Sequence, residues 1–188
     1  MIIDDARKDF LTELLNIGVG QAGAVVSELV GARVMLEVPE VDICASQEIL
    51  PALTALRGDD IIVVSQGFKG ILSGDAALLL TGFSGNLMVH RLLQQIGDDG
   101  DPATLRDEAL TEVGNIVVNN LVGAWSGIFS DAFDFGLPVF RRGTLEDCLA
   151  PFIRYAGGPK TYAVSGSAHF SVNDFFIMGT LVVFFDEK

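Results

Sequence analysis

Apolar and polar positions change period along this chain, and the changes mark its elements. Over residues 5–30 the apolar residues recur at helical spacing, which predicts one long helix. Residues 33–43 alternate as a strand that carries an edge-type proline, Pro39. A short helix follows over 46–56, opened by Ser46 and closed before Gly58. Strands are expected over 60–68 and 75–81 with a hairpin at 69–74, then a helix over 86–96. The acidic stretch 98–102 reads as a joint. Beyond it the order recurs: helix 103–130, strand 132–142, helix 144–156, strands 161–171 and 175–185. No counterpart of the 86–96 helix follows.

The recurrence is also one of residues. A shift of 99 positions lays Leu11, Thr12, Glu13, Asn16 and Ile17 over Leu110, Thr111, Glu112, Asn115 and Ile116. The same shift carries Ser27 onto Ser126, Pro39 onto Pro138, Gly58 onto Gly157, Gly67 onto Gly166 and Asp75 onto Asp174. It implies a duplication without net insertion, with repeats over 1–97 and 102–188. The fold expected is a single α/β (α+β) domain with pseudo-twofold symmetry. Two long helices would pack on a largely antiparallel sheet of about six strands, because short loops join neighbouring strands.

On a helical wheel the first long helix turns Leu11, Leu14, Leu15, Gly18, Ala22, Val25, Val26 and Leu29 to one side. Asp9, Glu13, Asn16, Gly20 and Ser27 fall opposite. The second turns Leu110, Val113, Val117, Leu121, Ala124 and Ile128 inward, and Glu108, Glu112, Asn115, Asn119 and Ser126 outward. Glu and Asn at i, i+3 are neighbours on a helix surface, so each half presents a Glu–Asn pair on a rigid element. An exposed mid-helix Asn is slightly unfavourable. A merely solvated face has no need to keep the same acid and amide in both halves.

Composition narrows the function classes. The chain has 188 residues, 49% of them hydrophobic, with a mean hydropathy of +0.44, which excludes global disorder. No uninterrupted apolar run reaches the roughly 18 residues of a membrane span, and the acid-bearing N-terminus does not read as a secretory signal. A net charge of −13 argues against nucleic acid and anionic membranes as partners. Cys44 and Cys148 are isolated and read as buried thiols, and with His90 and His169 they form no metal spacing. Gly18, Gly20 and Gly23 spell G-x-G-x-x-G, but a helix and not a strand precedes them, and the second half lacks the glycines. They read as sites of close packing or partner approach.

The pattern Asp9-x3-Glu13-x2-Asn16-x22-Pro39 resembles the signature of the CheC/CheX/FliY phosphatases. The second copy, Glu108-x3-Glu112-x2-Asn115-x22-Pro138, departs from it at Glu108, where the family carries Asp or Ser. Two copies in one chain are similar to CheC-type members. The resemblance implies a cytoplasmic chemotaxis phosphatase acting on the phospho-aspartate of a CheY-like receiver. Asn16 and Asn115 would orient the attacking water, while Glu13 and Glu112 would dock to the receiver lysine. Asp9, Glu108, Pro39 and Pro138 would be peripheral. No cofactor of its own is implied, and the Mg2+ would belong to the receiver. CheC-type proteins are also similar in binding the deamidase CheD, for which Glu146 and Asp147 are candidate contacts. The alternative is a non-catalytic adaptor that binds a receiver, CheD or the flagellar switch.

Overall fold

The computed structural model describes residues 5–31, 33–53, 56, 58–96, 102–153, 162–172 and 175–186. The expected joint at 98–101, the tail of the expected helix beyond Ile153, and Gly157 and Asp174 of the repeat lie outside the described residues. Both long helices form, as α1 (Asp5–Val30) and, after the joint, α4 (Pro102–Phe129). Between them run β1 (Val34–Glu37), β2 (Val41–Ala45), α2 (Ile49–Ala52), β3 (Ile61–Lys69), β4 (Ser73–Thr81) and α3 (Gly82–Ile96). After α4 come β5 (Asp134–Phe135), β6 (Val139–Gly143), α5 (Leu145–Ile153), β7 (Tyr162–Val172) and β8 (Phe175–Phe185).

Among the described residues the sheet has eight strands where about six are expected, because each predicted edge strand breaks in two beside its proline. Pro39 separates β1 from β2, and Pro138 separates β5 from β6. A proline cannot donate to the ladder, so pairing stops there and resumes beyond it. Ser46 does not open its helix by capping. Ser46–Glu48 is a 3-10 turn without a side-chain cap bond, and the Ser46 hydroxyl is buried with no partner among the described residues. α3 begins at Gly82, directly from β4, earlier than expected.

The strand order is β1-β7-β8-β4-β3-β5, with β2 also on β7 and β6 also on β3. All pairs are antiparallel. Strands of 1–97 and 102–188 interleave, so neither half completes its sheet alone. Alternate strand residues serve two cores. Ile62, Phe68, Leu78, Leu80, Phe170 and Leu181 pack with residues of α1, α3 and α4, and Ile61, Val63, Leu79, Val182 and Phe184 pack with residues of α2 and α5.

The strand registers of the two halves are not related by the shift of 99. Val41 pairs with Gly166, so a uniform shift of 99 would set Phe140 opposite Gly67, whereas Phe140 pairs with Val64, three residues away. The shift of 99 therefore relates the long helices and the edge strands, but not the strands they pair with.

α1 and α4 cross where Gly18 meets Leu121. A Cβ on Gly18 would lie 2.5 Å from Leu121 Cα and 2.8 Å from its carbonyl oxygen. Past the crossing α1 leans on β1, so its buried side rotates. Gly23 touches the backbone of Val34 and Leu36, and Ser27 Oγ accepts from Val34 N–H at 2.8 Å. Val25 and Leu29, expected inside, are exposed for that reason; Ile128 on α4, also expected inside, is exposed as well. Lys8–Leu29 is long and apolar enough by composition to cross a membrane, but Val19 and Ala22 within it are fully buried in the core formed with α4 and the sheet.

Two glycines of the G-x-G-x-x-G stretch make opposite predictions. Gly18→Ala should destabilise the fold by about 1–2 kcal/mol, since overpacking against backbone outweighs the better helix propensity of alanine. Gly20 has nothing within 4 Å of its would-be Cβ, so Gly20→Ala should stabilise by about 0.5–1 kcal/mol. Denaturant melts of the two variants check both signs.

Candidate functional site

Glu13 is exposed on α1, one turn above exposed Asp9. Asn16 is half-buried, with both amide hydrogens engaged and one bond to its oxygen. Its Oδ1 accepts from Val38 N–H at 2.7 Å, and its Nδ2 donates to Val38 O at 2.7 Å and to Thr12 O at 3.0 Å. Asn16 thus clips the β1–β2 connection to the helix immediately before Pro39. The motif's 22-residue gap has a structural use here, since it brings the backbone beside the proline to the asparagine. A shallow hollow of about 350 Å3 lies next to this clip, lined by Asp9, Thr12 and Pro39 and crossed by a Lys8–Asp42 ion pair of 3.6 Å.

On α4, Glu108 and Glu112 are exposed and Asn115 is half-buried. Here the carboxamide is only partly engaged. Asn115 Oδ1 accepts from Asn119 Nδ2 at 2.9 Å, and Asn115 Nδ2 donates to no described residue. Asn119 lies one turn away and fixes the amide from one side, while its own Oδ1 is buried without a partner among the described residues. The connection between β5 and β6 is not clipped to the helix. Leu137, which the shift of 99 places where Val38 stands, is 85% exposed, whereas Val38 is 0% exposed.

Both asparagines, expected to face solvent, are half-buried, and their partners differ. Both glutamates face solvent, but Asn16 is committed to the backbone, whereas Asn115 retains a donor unused by any described residue. Val38 and Leu137 escaped notice in the sequence because neither carries chemistry. Their only signal is the place just before each proline. An Asn115 held on its acceptor side, with an open donor and a spare lone pair, can orient a water or contact a phosphoryl oxygen. An exposed glutamate beside it can pair with a cation.

Glu146 and Asp147 lie exposed in the first turn of α5. Thr144 caps α5 through Asp147. The Asp147 N–H donates to Thr144 Oγ1 at 3.1 Å, and Thr144 Oγ1 donates to the Asp147 carboxylate at 2.8 Å. Cys44 and Cys148 are free thiols; Cys148 is buried, Cys44 is only partly so, and burial raises the pKa of each. No group of three His, Cys, Asp or Glu residues able to hold a metal occurs among the described residues.

No family model matches the chain. A curated protein named "Putative CheY-P phosphatase CheC1", from Halobacterium salinarum, is 21% identical over 155 residues, which span 80% of this chain and 78% of that one. Crystal structures share the fold at lower identity. FliY of Thermotoga maritima is similar with a TM-score of 0.78 at 16% identity, over 97% of this chain and 92% of that one. A chain of the CheX–CheY–BeF3–Mg complex of Borrelia burgdorferi is similar with a TM-score of 0.54 at 17% identity, over 93% and 99%. A chain of the H. pylori FliG–FliM complex reaches 0.66 at 13% identity, over 96% and 94%. Along four fifths of its length the chain is thus similar to a curated protein named a putative CheY-P phosphatase, and it shares the fold of FliY, FliM and CheX structures.

Proposed function

We propose that this protein hydrolyses the phospho-aspartate of a CheY-like receiver, and that α4 carries most of the reaction. The observation that supports it best is the exposed Glu112 beside Asn115, whose Nδ2 has no partner among the described residues. An acyl phosphate is an activated substrate, and its hydrolysis depends more on an in-line water than on a strong base. The remaining lone pair of Asn115 Oδ1 accepts a hydrogen bond from that water, whose protons stay on oxygen, leaving a water lone pair directed at phosphorus. Asn115 Nδ2 donates to a phosphoryl oxygen. The water oxygen–phosphorus bond forms as the phosphorus–carboxylate bond breaks, freeing the aspartate and inorganic phosphate. Glu112 stays away from the phosphoryl group, which like charge would repel, and pairs with the receiver lysine. The Mg2+ belongs to the receiver. A cytoplasmic location follows from this reading.

The test is phosphate release from a CheY-like receiver charged with acetyl phosphate or phosphoramidate. Addition of this protein should accelerate the decay at least about tenfold, a modest fraction of what positioning can supply. Unchanged decay removes the enzymatic reading.

A second reading has its own support. Asn16 is spent on Val38, so α1 offers Glu13 and Asp9 but no free amide at the motif. That face suits docking without hydrolysis, as in an adaptor of a receiver or of the flagellar switch. Contact with CheD through Glu146 remains a proposal. Asp147 is a poor probe of it, since its carboxylate also accepts from the hydroxyl of the capping Thr144. Glu146→Lys should weaken capture of CheD, and undiminished capture removes the assignment.

A further inference from the structure

The two halves differ at one place on the sheet. Val41 pairs with Gly166 and Leu36 with Phe170, whereas their counterparts Phe140 and Phe135 pair with Val64 and Phe68. Val64 thus holds the ladder place of Gly166, Gln66 that of Ala168, and Phe68 that of Phe170. The phenylalanines match, but the other two places do not. Beside β7 Gly166 leaves a hollow, and Val38 fills it. A Cβ on Gly166 would lie 2.5 Å from Val38 Cγ1, and Val38 is wholly buried. Beside β3 the corresponding places carry two large side chains. The Val64 side chain occupies the position a Cβ on Gly114 would need. Gln66, 4% exposed, donates from Nε2 to Gly136 O at 2.7 Å, and Gly136 N–H donates to Gly67 O at 2.9 Å. The β5–β6 connection is held on the strand, and Leu137 stays outside.

We propose that Val64 and Gln66 are positioning residues for Asn115: by filling the hollow that Gly166 leaves open in the other half, they keep the Leu137 backbone off α4. The Asn115 amide then remains available to substrate. Without them the connection would fold inward as it does at Val38, and Asn115 would be consumed as Asn16 is. The proposal rests on the phosphatase reading for its consequence, but not for its geometry.

Amide hydrogen exchange separates the two. In the wild-type protein the Val38 amide, a donor to Asn16, should exchange at least about 10²-fold more slowly than the Leu137 amide. Equal exchange would overturn the proposal without any variant. Val64→Gly/Gln66→Ala, which installs the residues of the other half, should slow Leu137 exchange about tenfold or more and lower phosphate release by a similar factor. The milder Val64→Ala/Gln66→Ala pair carries the same expectation should the first variant not fold. A folded variant that loses activity while Leu137 exchange stays fast reports ordinary core damage and also overturns it. Absence of phosphatase activity in the wild type would refute the functional reading alone, since the exchange comparison is independent of turnover.

Discussion

Asn115→Ala is expected to slow phosphate release from the receiver by about 10²-fold, the scale on which a misplaced reacting group lowers a rate. Removing the carboxamide deletes a donor that has no partner among the described residues, together with the acceptor oriented by Asn119. Asn16→Ala should slow it by no more than about twofold, because that amide already serves the Val38 backbone. Asn115→Asp is a sharper variant. It keeps the size and the acceptor but sets a second negative charge at the phosphoryl group, so it should be as inactive as alanine. Binding of a BeF3-loaded receiver would separate the steps, with Glu112→Ala weakening binding and Asn115→Ala leaving it within a few-fold. Equal losses from Asn16→Ala and Asn115→Ala would refute the division of labour between the helices.

The second large effect is on stability. Asn16→Ala should cost about 2–4 kcal/mol, since it removes two short bonds to Val38 and leaves a backbone donor and acceptor unpaired where the neighbouring side chain is fully buried. In a chain of this length that corresponds to a fall in melting temperature of roughly 5–15 °C. Asn115→Ala removes only the Asn119 bond from a half-buried face and should cost about 1 kcal/mol or less. The two asparagines are thus expected to trade places between a melting curve and a phosphatase assay. Urea titration with loss of Val38 amide protection measures the first. A melting temperature unchanged in Asn16→Ala would mean that the clip is not formed in solution.

Much of this molecule is legible in its sequence. Helix periodicity locates α1 and α4 to within a residue or two at each end, because both bury long apolar faces and carry no internal proline. Hydrophobic runs locate β3, β4, β7 and β8, since these central strands are covered on both sides over much of their length. The paired Glu-x-x-Asn spacing points to the helix faces that carry the candidate chemistry. Periodicity fails where two elements meet. Val25 and Leu29 follow the apolar pattern of α1 but lie beyond its crossing with α4, where β1 takes over the packing. The pattern along one helix cannot register that change of neighbour.

The same boundary divides the two motifs. By itself the sequence determined that two helices would each present an acid and an amide at adjacent turns, because three residues of helix bring two side chains to one face whatever surrounds them. It also placed a proline in the strand after each helix, but the break in pairing there emerged only in the structure, where the missing N–H leaves a gap in the ladder. Only the tertiary structure decided which amide is free. That depended on a three-residue displacement of register, which set Val64 and Gln66 in one half against Gly166 and Ala168 in the other. Side-chain volume at a strand position controls a hydrogen bond on a distant helix only once the ladder has aligned them, and no spacing along the chain encodes that alignment.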